Sequence, residues 1–129
     1  MYVCDTHALV YHTVRKSRLG KSANRIFVRA ESQRIVISIP SIVLWEVVQL
    51  IEAGRVDLGQ PFDHWCRDLE RHRGFSIVPL DVMEIREARR VQLPDPADRL
   101  IVGTALRLDV PLITKDSRIA ESGLVETIW

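Results

Sequence analysis

The chain has 129 residues, enough for one hydrophobic core and too few for two independent ones. Its 18 Lys and Arg residues against 17 Asp and Glu residues give a formal net charge of +1. The overall charge therefore indicates neither a nucleic acid nor a membrane surface as partner, and any such argument depends on local clusters. We expect a single domain spanning residues 1–129.

The two cysteines and the apolar segments indicate where the protein acts. Cys4 and Cys66 lie far apart without a C-x-x-C motif, which is typical of free thiols in a reducing compartment. The first residues lack the basic and long apolar regions of a secretory signal. The most apolar stretch, ISIPSIVLWEVVQLI, is interrupted by Pro40, Glu46 and Gln49 and is too short to span a bilayer. We expect a cytoplasmic protein with no membrane partner.

Strand-like and helical patterns alternate from the first residue onward. MYVC is a predicted strand, followed by Asp5 and a short apolar helix through Tyr11. RIVISI predicts a second strand that ends at Pro40. The following stretch, SIVLWEVVQLIEAG, predicts a helix with Ser41 as its N-cap and Gly54 as its end.

The same alternation continues in the second half of the chain. A polar helical stretch from about residue 62 to 72 precedes the strand FSIVP, and DVMEIREARRV begins with Asp81 and Glu84 at capping-box spacing. LPDPADRLIVGTAL predicts an inward-packing helix, PLIT a strand, KDSRIAESG a turn with one or two helical turns, and LVETI a last strand. Apolar strands separated by helices predict an α/β fold with a largely parallel sheet covered on both faces. Such a sheet binds ligands at the carboxyl ends of its strands.

Aspartates follow two predicted strands and begin one predicted helix. Asp95 stands before Pro96 as a natural N-cap, and Asp98 falls at the third helical position. Asp5 and Asp116 are equally placed to cap the helices after their strands. Because parallel strands end at one edge, three caps would lie near one another without any catalytic purpose. Capping alone therefore explains each aspartate taken singly.

Glu46 is the acid that capping does not explain. It lies in the second turn of its helix, and its neighbours at i−4, i−3 and i+4 are Ile42, Val43 and Leu50. No Lys or Arg lies three or four positions away, so another group must compensate the charge of a half-buried carboxylate.

The four acids at this predicted edge would repel one another strongly. At separations of about 6 Å and an effective dielectric constant near 20, the six pairs among Asp5, Glu46, Asp98 and Asp116 would cost on the order of 15 kcal/mol before screening. That energy is comparable with the stability of a whole domain, so the cluster must hold protons or a divalent cation. An all-oxygen donor set favours Mg²⁺ or Mn²⁺.

Other site chemistries lack their signatures. His7 and His12 are five residues apart, His64 and His72 eight apart, and neither spacing is the H-E-x-x-H of a zinc site. The chain has no glycine-rich phosphate loop and no G-x-S-x-G motif. Zinc, a nucleotide-binding loop and a serine nucleophile are therefore not expected.

Four segments in this order resemble the PIN-domain ribonucleases, specifically the VapC-type toxins of toxin-antitoxin pairs. They are DTHALV, SIVLWEVVQLIEAGRV, DPADRLIVGTAL and PLITKD, and together they extend over essentially the whole chain. The resemblance implies one PIN-like nuclease domain, a three-layer α/β/α sandwich with a mainly parallel sheet of about five strands. It also implies an endonuclease that requires Mg²⁺ or Mn²⁺ and cuts single-stranded RNA.

The resemblance assigns roles to individual residues. The family's acidic quartet, catalytic and metal-binding, matches Asp5, Glu46, Asp98 and Asp116. Asp95 matches an additional acid present in part of the family. The implied mechanism is in-line attack of a metal-activated water on the scissile phosphorus. Thr6 and Thr114 match hydroxyls that support the carboxylates in relatives, although an ordinary hydroxyl after a strand explains them equally well.

Two departures from the family pattern concern the segment DPADRLIVGTAL and the residues just before it. Members with a DPFDR motif often carry a histidine shortly before it, where this chain has Gln92, Leu93 and Pro94. Ala97 replaces the bulky aromatic residue of that motif. The quartet is intact, but a histidine-assisted step and the shape of the substrate groove are left open.

A basic stretch without a single acid precedes the second strand. It contains Arg15, Lys16, Arg18, Lys21, Arg25 and Arg29. Beside a carboxylate centre it would hold an RNA backbone, whereas a solvated helix face with loop charges is the alternative interpretation. Arg99, next to Asp98, is predicted either to contact a substrate phosphate or to brace a carboxylate.

The resemblance also implies two protein partners. Relatives form homodimers and are held inactive by a small cognate antitoxin. Phe62, Trp45 and Trp65 offer apolar surface that one small domain does not wholly bury. Two alternatives remain open: a catalytically silent PIN-like module that binds RNA or protein, and a housekeeping RNA-processing nuclease. The intact acidic set argues against the first, and the lack of extra segments for duplex handling argues against the second.

Overall fold

The computed structural model describes all 129 residues, with five strands and seven α-helices. The strands are β1 (Tyr2–Cys4), β2 (Ile37–Pro40), β3 (Phe75–Val78), β4 (Leu112–Ile113) and β5 (Thr127–Ile128). The helices are α1 (Thr6–Val14), α2 (Lys21–Glu31), α3 (Ser41–Glu52), α4 (Phe62–Arg71), α5 (Val82–Ala88), α6 (Pro96–Leu108) and α7 (Ser117–Ser122). A short 3-10 helix, Lys16–Arg18, connects α1 to α2.

All strand pairs are parallel, and the sheet order is β3-β2-β1-β4-β5. The strand β1 is central, with Val3 paired to Ser38 of β2 on one side and to Leu112 of β4 on the other. The chain leaves β1 in one direction through β2 and β3 and returns to the other side through β4 and β5. Because crossovers between parallel strands are right-handed, the connecting helices cover both faces of the sheet. The order of the strands reverses between β1 and β4, which is where such sheets have a crevice. The predicted α/β/α sandwich with a parallel five-stranded sheet is confirmed.

One hydrophobic core underlies this arrangement. Its fully buried side chains come from β1, β2 and β4 and from the helices on the sheet, and include Leu9, Phe27, Ile37, Ile101 and Leu112. Residues 15–29 are more than the predicted basic strip, because α2 also buries Ala23, Ile26, Phe27 and Ala30 at helical spacing. Every helix is too short or too polar to serve as a bilayer-spanning segment.

Two sequence expectations about packing need correction. Ser41 does not cap α3: it is the first helical residue, preceded by Pro40, and its Oγ accepts a hydrogen bond from the Leu80 N–H at 3.0 Å. Pro40, the last residue of β2, occupies the cap position instead. The Ser41 hydroxyl contacts the segment that follows β3. Trp65 is buried in the core at 4% exposure, while Trp45 is 55% exposed.

Candidate active site

An open pocket of about 790 Å³ lies at the edge of the sheet where the parallel strands end. Fifteen residues line it, and only three are hydrophobic. All five acids singled out in the sequence line it: Asp5, Glu46, Asp95, Asp98 and Asp116. They reach it from the ends of β1 and β4, from the second turn of α3 and from the start of α6. The fold therefore brings together residues that are up to 111 positions apart in the chain.

Three of these aspartates also cap helices, as the sequence predicts. Asp5 Oδ1 accepts from the Ala8 N–H, Asp95 Oδ1 from the Ala97 N–H and Asp116 Oδ1 from the Arg118 N–H, each at 2.8 Å. In every case Oδ1 makes the cap bonds, and a carboxylate has a second oxygen that remains for a ligand. Capping and metal binding are thus compatible functions of the same side chains.

Two threonine hydroxyls contact the carboxylates. Thr6 Oγ1 donates to Glu46 Oε1 at 2.5 Å, and this bond links the start of α1 to α3. Thr114 Oγ1 accepts from the Asp116 N–H at 3.1 Å. Burial raises the pKa of the Asp5 carboxyl, and the Thr114 hydroxyl offsets part of that rise. The hydroxyls therefore position carboxylates that arrive from different elements.

The acids influence one another's protonation. Burial is the largest cause that raises the pKa of Asp98, and the charges of Asp95, Asp116, Glu46 and Asp5 raise it further, to about 7. Burial also raises the pKa of Asp5 and of Glu46. Without a cation, the cluster thus favours a partly protonated state, as expected for carboxylates that repel one another.

The donor chemistry of the pocket fits a divalent cation. The acids offer carboxylate oxygens only, which suits a hard cation such as Mg²⁺ or Mn²⁺. No three histidine, cysteine or acidic side chains converge into a ready-made metal-ligand set. Mg²⁺ usually keeps several waters and takes one or two carboxylates directly, so a water-mediated site agrees with this arrangement.

Sequence reasoning missed four basic side chains that line the same pocket: His7, Arg55, Lys115 and Arg118. A signal for three of them existed, because His7 lies two residues after Asp5, while Lys115 and Arg118 lie close to Asp116 and share its strand end. Arg55 follows the end of α3, and only the docking of that helix brings it to the pocket.

The predicted basic strip does not form one surface. Arg15 and Arg18 line a neighbouring cavity of about 490 Å³. The Nζ of Lys16 lies 3.8 Å from Glu31 Oε1, while Lys21 and Arg25 are exposed on α2 and line neither cavity. The strip thus contributes two arginines to the surroundings of the pocket.

Arg99 differs from both expectations for it. Its Nη2 donates to the backbone oxygens of Ala88 and Arg89, each at 3.3 Å, and it does not line the pocket. Because α5 packs along α6, the carbonyl groups at the end of α5 are within hydrogen-bond distance of this guanidinium. The structure therefore makes Arg99 a brace for α5, not for Asp98.

Comparison with known proteins identifies the family. Residues 2–123 match the PIN domain. The chain belongs to the PIN-domain family. This PIN domain is 31% identical over 117 residues to Ribonuclease VapC22 of Mycobacterium tuberculosis, a match that covers 89% of this chain and 86% of the relative. PIN-domain nucleases generally use divalent metal ions, in agreement with the all-carboxylate donor set.

Solved structures share the whole fold. VapBC2 from Rickettsia felis, bound to a DNA fragment from its promoter, matches with a TM-score of 0.73 and 16% identity, covering 98% of this chain and 96% of that one. DNA-bound VapBC from Salmonella typhimurium matches with a TM-score of 0.66 and 18% identity over the same shares of the two chains. At these identities the likeness establishes the fold of this PIN domain and leaves its chemistry to the site.

Proposed function

We propose that this PIN domain is a divalent-metal-dependent endoribonuclease that hydrolyses phosphodiester bonds of single-stranded RNA. The observation that carries the proposal is that five carboxylates line one open pocket, where burial and mutual repulsion raise the pKa of Asp98 to about 7. A domain without catalysis has no use for a cluster that costs stability. The similarity to a relative named as a ribonuclease supports RNA as the substrate.

The metal ligands of the proposal are the acids that line the pocket, with Asp95 as a fifth donor beside Asp5, Glu46, Asp98 and Asp116. When bound, Mg²⁺ or Mn²⁺ supplies the positive charge that lets a phosphate enter the acidic pocket, and it lowers the pKa of a coordinated water.

The chain's own residues orient and neutralise the substrate. The hydroxyls of Thr6 and Thr114 hold two carboxylates, those of Glu46 and Asp5, in place before substrate arrives. Lys115 and Arg118 stand at the wall of the same open pocket, where their charges offset negative charge on the phosphate. This chain contributes to in-line attack by orienting the phosphate between its acidic and its cationic side chains.

We extend the proposal to the role of a toxin held by a small cognate antitoxin in the cytoplasm. The matching structures from Rickettsia felis and Salmonella typhimurium are VapBC proteins, and another match is a toxin-antitoxin complex from Klebsiella pneumoniae. Both cysteines are free thiols, as a reducing compartment favours. RNA cleavage without such a partner would be harmful to the cell that makes it.

A homodimer is part of the proposal, and the helix α5 supports it. This helix buries Glu84 and Ala88, while Val82, Met83 and Ile85 point outward with exposed fractions of 59%, 48% and 49%. A helix whose apolar side chains face outward and whose acid faces inward is incomplete in a monomer.

The surroundings of this apolar face favour a second copy of the chain as its occupant. Trp45 lies one turn after Ser41 on α3, and Ser41 contacts the Leu80 N–H, so the exposed indole extends the same surface. The exposed side chains of Asp81, at the start of α5, and Arg86, in its last turn, supply opposite charges at the two ends of this helix. Opposite charges beside one apolar patch suit a two-fold interface, in which each patch meets its copy.

The alternatives of a silent module and a housekeeping nuclease differ from the proposal in measurable ways. Purified protein is incubated with single-stranded RNA in Mn²⁺ and in EDTA, beside the Asp98→Asn variant. We expect cleavage by the wild type in Mn²⁺ alone and none by Asp98→Asn. Cleavage that persists in EDTA contradicts metal dependence, and intact RNA in Mn²⁺ supports the silent module. An antitoxin-like reading frame directly beside this gene separates a toxin from a housekeeping enzyme.

A further inference from the structure

A second cavity of about 490 Å³ adjoins the acidic pocket. It lies between α1 and the segment that follows α3. Three residues, His7, Leu50 and Arg55, line both cavities, so the two are continuous at that wall. A flexible chain-like ligand that lies in one cavity can therefore extend directly into the other.

The charge reverses where the two cavities meet. The second cavity is lined by Arg15, Arg18 and Arg55, and its one acid, Asp57, accepts a hydrogen bond from the Gly59 N–H at 2.8 Å within a turn. None of the three arginines forms a salt bridge, because the only ion pairs of the chain involve other residues. Three exposed guanidinium groups without carboxylate partners are available to an anion.

The remaining lining is apolar and aromatic. Five of the ten lining residues are hydrophobic, among them Val10, Val14 and Val56. The rings of Tyr11 and His7 lie 5.9 Å apart. A cavity with an aromatic and apolar wall beside arginines has the composition that binds a base together with its phosphate.

Tyr11 also connects the two cavities. Lys115, which lines the acidic pocket, donates to the Tyr11 hydroxyl at 3.0 Å and lies 4.9 Å from the ring centroid. Lys115 first, and then Arg18 of the second cavity, lower the pKa of this hydroxyl. A series of cationic groups therefore runs from the acidic pocket along the wall of the second cavity.

We propose that this second cavity binds the nucleotide next to the scissile phosphate, with Arg55 and Arg18 holding its phosphates and the apolar and aromatic wall contacting its base. The inference rests on the proposed function, since a single-stranded RNA must continue beyond the pocket where it is cut. It assigns RNA binding to Arg15, Arg18 and Arg55, and it removes Lys16, Lys21, Arg25 and Arg99 from that role. A nucleotide is favoured over a peptide because unpaired arginines are continuous with a site for phosphodiesters.

RNA binding in EDTA tests this assignment independently of catalysis. A fluorescent 12-nucleotide oligouridylate is titrated with wild type, Arg18→Gln and Arg55→Gln at several salt concentrations. Arg25→Gln is the matched control, because it removes the same charge from an exposed position outside both cavities. Each cavity variant is expected to weaken binding about tenfold and to reduce the slope of log K against log salt by about 0.7, whereas the control leaves both unchanged.

Cleavage kinetics in Mn²⁺ complete the test. Arg18→Gln and Arg55→Gln are expected to raise KM about tenfold with little change in kcat, since both arginines are assigned to the phosphates of the neighbouring nucleotide and not to the reacting one. Cavity variants that bind and cleave like Arg25→Gln overturn the assignment. Variants that leave RNA binding intact but release a co-expressed antitoxin also overturn it, and make the cavity a protein-docking site. If the wild type binds RNA through these arginines but does not cleave it, the nuclease proposal is wrong and the assignment of the second cavity is kept.

Discussion

The hydroxyl of Thr6 donates to Oε1 of Glu46 at 2.5 Å, across 40 positions of the chain. This bond stabilises the one acid for which the sequence offers no basic neighbour on its own helix. Because Thr6 directly follows Asp5, the contact also fixes α3 relative to the end of β1. The orientation of Glu46 in the pocket therefore depends on a neutral donor, and its charge remains for a cation.

Replacing this donor tests the positioning role. Thr6→Val keeps the shape of the side chain and removes the hydroxyl, so Glu46 loses its fixed orientation. We expect kcat in Mn²⁺ to fall about tenfold with KM nearly unchanged, because misplaced groups reduce rate more than binding. Thr6→Ser restores the donor and is expected to recover most of the loss. A Thr6→Ser variant as slow as Thr6→Val would show that the methyl group, not the hydroxyl, matters.

Asp98→Asn is expected to stabilise the metal-free protein at pH 8. The pKa of Asp98 is raised from its ordinary value to about 7, so the folded state binds more protons than the unfolded state between about pH 4 and 7. The wild type therefore loses stability as the pH rises through this window. The full shift would correspond to about 4 kcal/mol, and since the side chain is partly exposed, solvent screening reduces the expected gain to about 1–2 kcal/mol.

Urea unfolding in EDTA at pH 4 and pH 8 checks this prediction. The two proteins are expected to have equal free energies of unfolding at pH 4 and to differ at pH 8. Addition of Mn²⁺ is expected to remove the difference, since a cation stabilises the charged form. Equal stabilities at pH 8 in EDTA would mean that neither burial nor the neighbouring carboxylates raise the pKa of Asp98.

Arg107→Met is expected to destabilise the fold without touching the pocket. Arg107 Nη1 contacts Oε1 of Glu84, a side chain that is only 1% exposed. The other oxygen of Glu84, Oε2, accepts from the Asp81 N–H in the capping box of α5. Removal of the guanidinium leaves a buried carboxylate unpaired, which costs about 3 kcal/mol. A second change, Glu84→Gln, keeps the cap acceptor without the charge and is expected to recover most of that loss. If the double variant is no more stable than Arg107→Met, charge compensation is not the role of this pair.

Ile85→Glu tests the proposed homodimer. The substitution places a charge in the outward apolar face of α5, where Ile85 is 49% exposed, so folding of the monomer is unaffected. We expect light scattering to show a dimer for the wild type and a monomer for Ile85→Glu. Val28→Glu is the matched control, because Val28 is 54% exposed on α2, away from this face. Loss of the dimer in both variants, or in neither, would argue against an interface through α5.

The acids of the site were predictable because local signals and topology agree. Asp5 and Asp116 follow strands, and any parallel sheet brings such residues to one edge. Glu46 was recognisable as a polar residue on an apolar helix face. Ser41, Arg55 and Arg99 were not, since their contacts depend on how α3 and α5 dock on their neighbours, and no short-range pattern in the sequence encodes those angles.

The most direct test of the central claim is the cleavage of single-stranded RNA in Mn²⁺ by Asp5→Asn. Asparagine is as good an N-cap as aspartate, so the bond to the Ala8 N–H and the helix α1 are retained while the charge is lost. The account predicts that the rate falls at least about 100-fold while the melting temperature stays the same or rises. A variant that cuts RNA as fast as the wild type would show that Asp5 is a helix cap and nothing more.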